Sequence, residues 1–152
     1  MYNQLQTLAA HHGLYVYEKK FKSRSKGVIR GNIIGIDRGL TMVEKVCALA
    51  EECGHYFRTV GDITDQSRPE NRKQERIGRE WSYNYLIPLE RIVESHKAHA
   101  EGRHEIADYL GVTEYFLQST INRYLDKYGL FAHCNGYIIS FEPLLVIDPI
   151  EI

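Results

Sequence analysis

The pattern of apolar and polar positions is clearest between Thr41 and Val60, where Met42, Val46, Leu49, Ala50, Cys53, Phe57 and Val60 recur at three- and four-residue steps. That period predicts one amphipathic helix. Thr41 with Glu44 forms a capping box, in which each side chain serves a backbone N–H that has no partner inside the helix. A second helix is predicted from Ser67 to Leu86. Ser67 and Glu70 stand in the same relation at its start, Pro69 is tolerated in its first turn, and Pro88 lies just past its end. Ile77, Trp81 and Tyr85 line one side of it. Glu75, Gly78, Ser82 and Leu86 share another arc, where small residues would let a second helix pack closely.

Around these two lie weaker patterns. Tyr2 to His12 spaces Leu5, Leu8 and Ala9 as a helix, stopped by Gly13, and Leu14 to Tyr17 reads as a short strand. Lys19, Lys20, Lys22, Arg24 and Lys26 crowd the loop that follows, which is either a solvated loop or a contact for an acidic partner segment. Val28 to Asp37 is predicted as one further strand, with Gly31 and Gly35 permitting a bulge or a close approach. It serves either as a plain sheet strand over the central helix or as an edge to which extended peptide adds.

Leu89, Ile92, Val93 and His96 mark another helix, and His96, His99 and His104 read as surface histidines. From Glu105 the pattern is helix, turn at Gly111, and a helix capped by Thr113 and stopped by Gly129, the outline of a helix-turn-helix. Leu130 to His133 and Tyr137 to Phe141 form a hairpin through Asn135-Gly136, and the tail LLVIDPIEI is an edge segment or arm. The would-be recognition helix offers Gln118, Ser119, Asn122 and Arg123 to a duplex. Too few are cations for phosphate neutralisation, so it is not expected to read DNA specifically.

Composition narrows the class. At 152 residues and net charge −1 the chain fits one domain with a real core, with residues 1–88 carrying the motifs and 89–152 a helical and hairpin part. No apolar run is long enough for a membrane span and no signal peptide is evident, so the expected place is the cytoplasm, with no membrane partner. Cys47, Cys53 and Cys134 are an odd set without paired spacing, expected to be buried thiols.

The chemistry sits on the central helix. Glu51-Glu52-Cys53-Gly54-His55 resembles the H-E-x-x-H pattern of zinc peptidases with Glu51 in place of the first His. Glu51 and His55 lie one turn apart opposite the apolar stripe, and on spacing alone such a pair is more often solvated than ligating. A second segment changes that balance. Asn71-Arg-Lys-Gln-Glu75-x-x-Gly78-x-x-Trp81-Ser82-x-x-Tyr85-Leu86-Ile87-Pro88 resembles the second motif of the ImmA/IrrE family of metallopeptidases.

That resemblance implies an α+β, helix-dominated, zincin-like domain with a small antiparallel sheet and a C-terminal helix-turn-helix-like element. It assigns Glu51, His55 and Glu75 as metal ligands and Glu52 as the base. It further implies zinc, with manganese or iron as alternatives because Glu51 makes the ligand set harder. The implied substrate is a protein, a helix-turn-helix repressor of a prophage or mobile element. The competing reading is an inactive member that acts as a protein-binding module.

Overall fold

The computed structural model describes residues 1–58 and 67–151. Contacts divide the chain into two compact units, Met1–Ser82 and Tyr83–Ile152. The first holds helix α1 (Tyr2–His11), strands β1 (Tyr15–Lys19), β2 (Gly27–Arg30) and β3 (Ile33–Asp37), helix α2 (Met42–Arg58) and most of α3 (Pro69–Leu86).

The run Val28–Asp37, expected as one strand, is two strands. Gly31, at φ +58°, opens a two-residue turn that folds β3 back antiparallel on β2. The longer loop from Lys20 to Lys26 lets the chain skip one position, so the sheet order is β1-β3-β2 and β1 runs parallel to β3. The sheet of this unit is therefore mixed, and the expected small antiparallel sheet is the one in the other unit. The helix-dominated α+β class itself is what the chain adopts.

α2 starts at the predicted box. Glu44 N–H donates to Thr41 Oγ1 at 3.2 Å, and Thr41 N–H donates to Glu44 Oε1 at 3.1 Å. The expected helix end at Val60 and the turn Gly61–Asp65 lie outside the described residues. In mid-helix the burial is wider than one stripe: Val46, Cys47, Ala48, Leu49, Ala50, Cys53 and Gly54 are all buried. α1, β2 and β3 pack on it, and Ile34 and Ile36 of β3 are fully buried. Met42, expected in the stripe, is exposed because it precedes the covered part of the helix.

α3 begins at Pro69 and ends before Pro88, as its sequence predicts. Of the residues that line one side of it, Ile77 and Tyr85 are exposed, and the buried positions are Asn71, Gly78, Ser82, Tyr83 and Leu86. The face that packs is the small-residue arc, because that is where backbone can approach backbone.

The second unit contains α4 (Leu89–Lys97), α5 (Gly102–Leu110), α6 (Glu114–Tyr128) and the antiparallel sheet β4 (Phe131–Cys134), β5 (Tyr137–Phe141) and β6 (Leu144–Ile147). Gly111 turns α5 into α6 at φ +71°, and Thr113 caps α6 by accepting from Phe116 N–H at 3.0 Å. Asn135 and Gly136, both at positive φ, make the tight turn between β4 and β5. The tail residues Leu144–Ile147 form the edge strand β6.

Candidate active site

The crossing of α2 and α3 sets the geometry. A Cβ on Gly54 would collide with the Gly78 carbonyl oxygen, and one on Gly78 would lie 3.2 Å from His55 Cα and 2.7 Å from its Cδ2. The helices meet backbone to backbone at these two glycines. Phe57 stacks edge-on against Trp81 at 5.0 Å and against His12 at 4.6 Å, an aromatic brace beside the contact.

Such closeness carries side chains of the two motifs into one another. His55 Nε2 lies 3.1 Å from Glu75 Oε2, and His55 Nδ1 lies 3.5 Å from Glu52 Oε2. Their side chains are only 15% (His55), 18% (Glu75) and 12% (Glu52) exposed. Burial alone would discharge the imidazole, but hydrogen bonds and charge from Glu52 and Glu75 outweigh it and raise its pKa to about 9. The same contact with His55 holds the Glu75 carboxyl below its usual range. Glu51, one turn before His55, feels Arg79, His55, Glu52 and Glu75, yet burial dominates and pushes its carboxyl up.

Two participants were not singled out in the sequence. Arg79 Nε donates to Glu75 Oε1 at 3.0 Å, leaving Oε2 for His55, and the only sequence signal was the four-residue step between them. Gly27 is the other. A Cβ there would lie 3.1 Å from Glu52 Cγ, so the missing side chain makes room for Glu52 beneath β2.

β2 is an edge strand of its sheet. Asp37 N–H donates to Lys26 carbonyl at 2.9 Å, which fixes the alternation, so Val28 and Arg30 bond to β3 while Gly27 and Ile29 turn their backbone groups outward. Among the described residues no further strand pairs with this edge, which runs past Glu52. Tyr83 is buried against Phe116, whereas Tyr56, on α2, is exposed. Cys47, Cys53 and Cys134 are buried thiols, and burial raises the Cys53 thiol to about 12.

The His55–Glu75 separation suits two ligands of one divalent ion, since bonds of about 2.0–2.2 Å at tetrahedral angles place donors roughly 3.4 Å apart. Among the described residues no group of three or more His, Cys, Asp and Glu is arranged to hold a metal. The distance between His55 and Glu75 fits a metal, whereas Glu51, one turn before His55 on α2, is not brought into a three-ligand group with them.

A carboxylate-carboxylate-x-x-imidazole helix, crossed by a second helix that returns a carboxylate and flanked by an open strand edge, is the layout of a zincin-type metallopeptidase domain. The sequence pattern of the peptidase M78 family, the IrrE N-terminal-like domain, matches residues 9–122, and the chain belongs to that family. Comparison with curated proteins and with solved structures gives no match. No helix among the described residues is long and apolar enough to cross a membrane.

Proposed function

We propose that this chain is a metal-dependent endopeptidase that cleaves a DNA-binding repressor encoded near it on a prophage or mobile element. The contact of His55 with Glu75, beside an open edge that passes over Glu52, is the observation that carries this reading. Glu51, His55 and Glu75 would hold the ion, zinc in the first instance. When bound, it would polarise the scissile carbonyl and ease the deprotonation of the attacking water.

The protein's own part is orientation and proton transfer. An extended segment added along β2 bonds its backbone to Gly27 and Ile29, which brings a peptide group over Glu52. Glu52 takes the proton of the attacking water and passes it to the leaving amine. Glu52 rests against His55 Nδ1 and so also fixes the ring with Nε2 toward Glu75. Arg79 occupies the other oxygen of Glu75, which favours a single ligating oxygen from that residue.

The test is incubation of the zinc-loaded chain with the neighbouring repressor and mass-spectrometric mapping of new termini. One new pair of termini, absent with Glu52→Gln and with chelator, is expected. Zinc binding without cleavage of that repressor would leave the protein-binding module as the better description.

A further inference from the structure

The outer face of the first sheet takes no part in the site. Register sets Tyr15, Ile33 and Arg30 in one cross-strand row and Tyr17, Gly35 and Val28 in the next. Opposed residues share a face, so these six side-chain positions form one surface, with Lys19 continuing it along β1. Tyr15 is 65% exposed and Ile33 44%. The rings of Tyr15 and Tyr17 lie 24° from parallel with centroids 6.2 Å apart. Gly35 permits this: a Cβ there would stand 3.3 Å from Tyr17 Oη, so the ring leans across the glycine.

The same region gathers positive charge. From residue 19 to residue 30 the chain carries Lys19, Lys20, Lys22, Arg24, Lys26 and Arg30 with no carboxylate, in a protein of net charge −1. Lys26 lies 3.6 Å from Glu44. Asp37, the acid at the end of the face, accepts from the N–H groups of Phe21 and Gly39. Lys19, Lys22, Arg24 and Arg30 are exposed.

We propose that this face binds single-stranded nucleic acid, the two tyrosine rings stacking on bases while the cations of the β1–β2 loop and Arg30 follow the phosphates. An acidic peptide would use the cations but leave two near-parallel rings idle, whereas unpaired bases use both. A duplex hides its base faces, so the rings favour a single strand over a duplex of the same length.

The probe is a fluorescein-labelled oligothymidylate of about 20 nucleotides, titrated with the full chain by fluorescence anisotropy at several salt concentrations. Micromolar affinity that weakens with salt is expected, with weaker binding of the matching duplex. Tyr15→Ala and Tyr17→Ala should each weaken binding about tenfold, and Tyr17→Phe should restore it, because stacking needs the ring and not the hydroxyl. Lys22→Ser with Arg24→Ser should lower the salt slope by about 1.4, roughly 0.7 per lost phosphate contact. Unchanged melting curves establish that these variants fold. Absence of binding at low salt up to about 100 µM chain would overturn the proposal. So would affinity indifferent to both tyrosines, or equal competition by a polyglutamate of the same charge, which would point to an acidic protein segment.

Discussion

In Met1–Ser82 two helices close over carboxylates and an imidazole; in Tyr83–Ile152 the helices close over hydroxyls. Ser95 donates to Ile92 carbonyl at 2.7 Å, Thr120 to Phe116 carbonyl at 2.8 Å, and Tyr124, 1% exposed, to Ile87 carbonyl at 2.7 Å. Each is a neutral donor satisfied by a backbone oxygen, the low-cost way to bury polarity. The other unit instead withdraws Glu51, Glu52, His55 and Glu75 from water and counters them with one another and with Arg79. Charges so placed are a poor source of stability, and clusters of this kind are found at functional sites. The two units thus bury polarity in different ways, one with neutral donors and one with countered charges.

The largest test of that contrast is at the helix crossing. Ala is a better helix former than Gly by about 1 kcal/mol, so Gly54→Ala would stabilise an ordinary helix. Here its methyl meets the Gly78 carbonyl, and a loss of roughly 3 kcal/mol with loss of zinc binding is expected from thermal melts and calorimetry.

Next in size is Glu52→Gln, which should lower cleavage by about 10²–10⁴-fold because the amide cannot take a proton. Zinc affinity measured alongside separates two roles. Retained affinity assigns Glu52 to the proton alone, while a fall of about 10–100-fold adds its hold on the imidazole. For Glu51, calorimetry should rank zinc affinity as Glu51→His above wild type above Glu51→Ala, with about tenfold or more between the extremes. Indistinguishable affinities would remove Glu51 from the ligand set.

In the hydroxyl-lined unit the effects should be smaller and confined to stability. Tyr124→Phe leaves the Ile87 carbonyl and Asn84 without the phenol, a loss of about 1–2 kcal/mol by urea denaturation with zinc affinity unchanged. Smallest is the cap of α2, where Thr41→Ala should cost about 1 kcal/mol. The Thr41 backbone N–H, and then its hydroxyl, hold the Glu44 carboxyl below its ordinary 4.5. That contribution is present above 4.5 and is lost as pH falls through the lowered value, so acid should narrow the stability gap between wild type and Glu44→Gln.

Local chemistry made part of this molecule legible in its sequence. The Thr41 and Thr113 caps, the Asn135-Gly136 turn and the one-turn spacing of Glu51 and His55 all depend on residues within four positions of each other, where backbone geometry leaves few alternatives. The small arc of Gly78 and Ser82 likewise announced a close helix.

Only the tertiary structure decided the rest. Whether Val28–Asp37 stays one strand, and which strand takes the edge, depends on loop closure and sheet pairing that no local pattern encodes. Periodicity placed Ile77, Trp81 and Tyr85 along one side of α3, but the glycine contact turned the neighbouring arc of Gly78 and Ser82 inward and left Ile77 and Tyr85 exposed. The placement of Gly27 over Glu52, and of Arg79 and His55 on the two oxygens of Glu75, joins residues from three elements. The sequence by itself determined which groups could react; the meeting of two helix backbones at Gly54 and Gly78 decided which of them touch, because side-chain reach is set by how closely main chains approach.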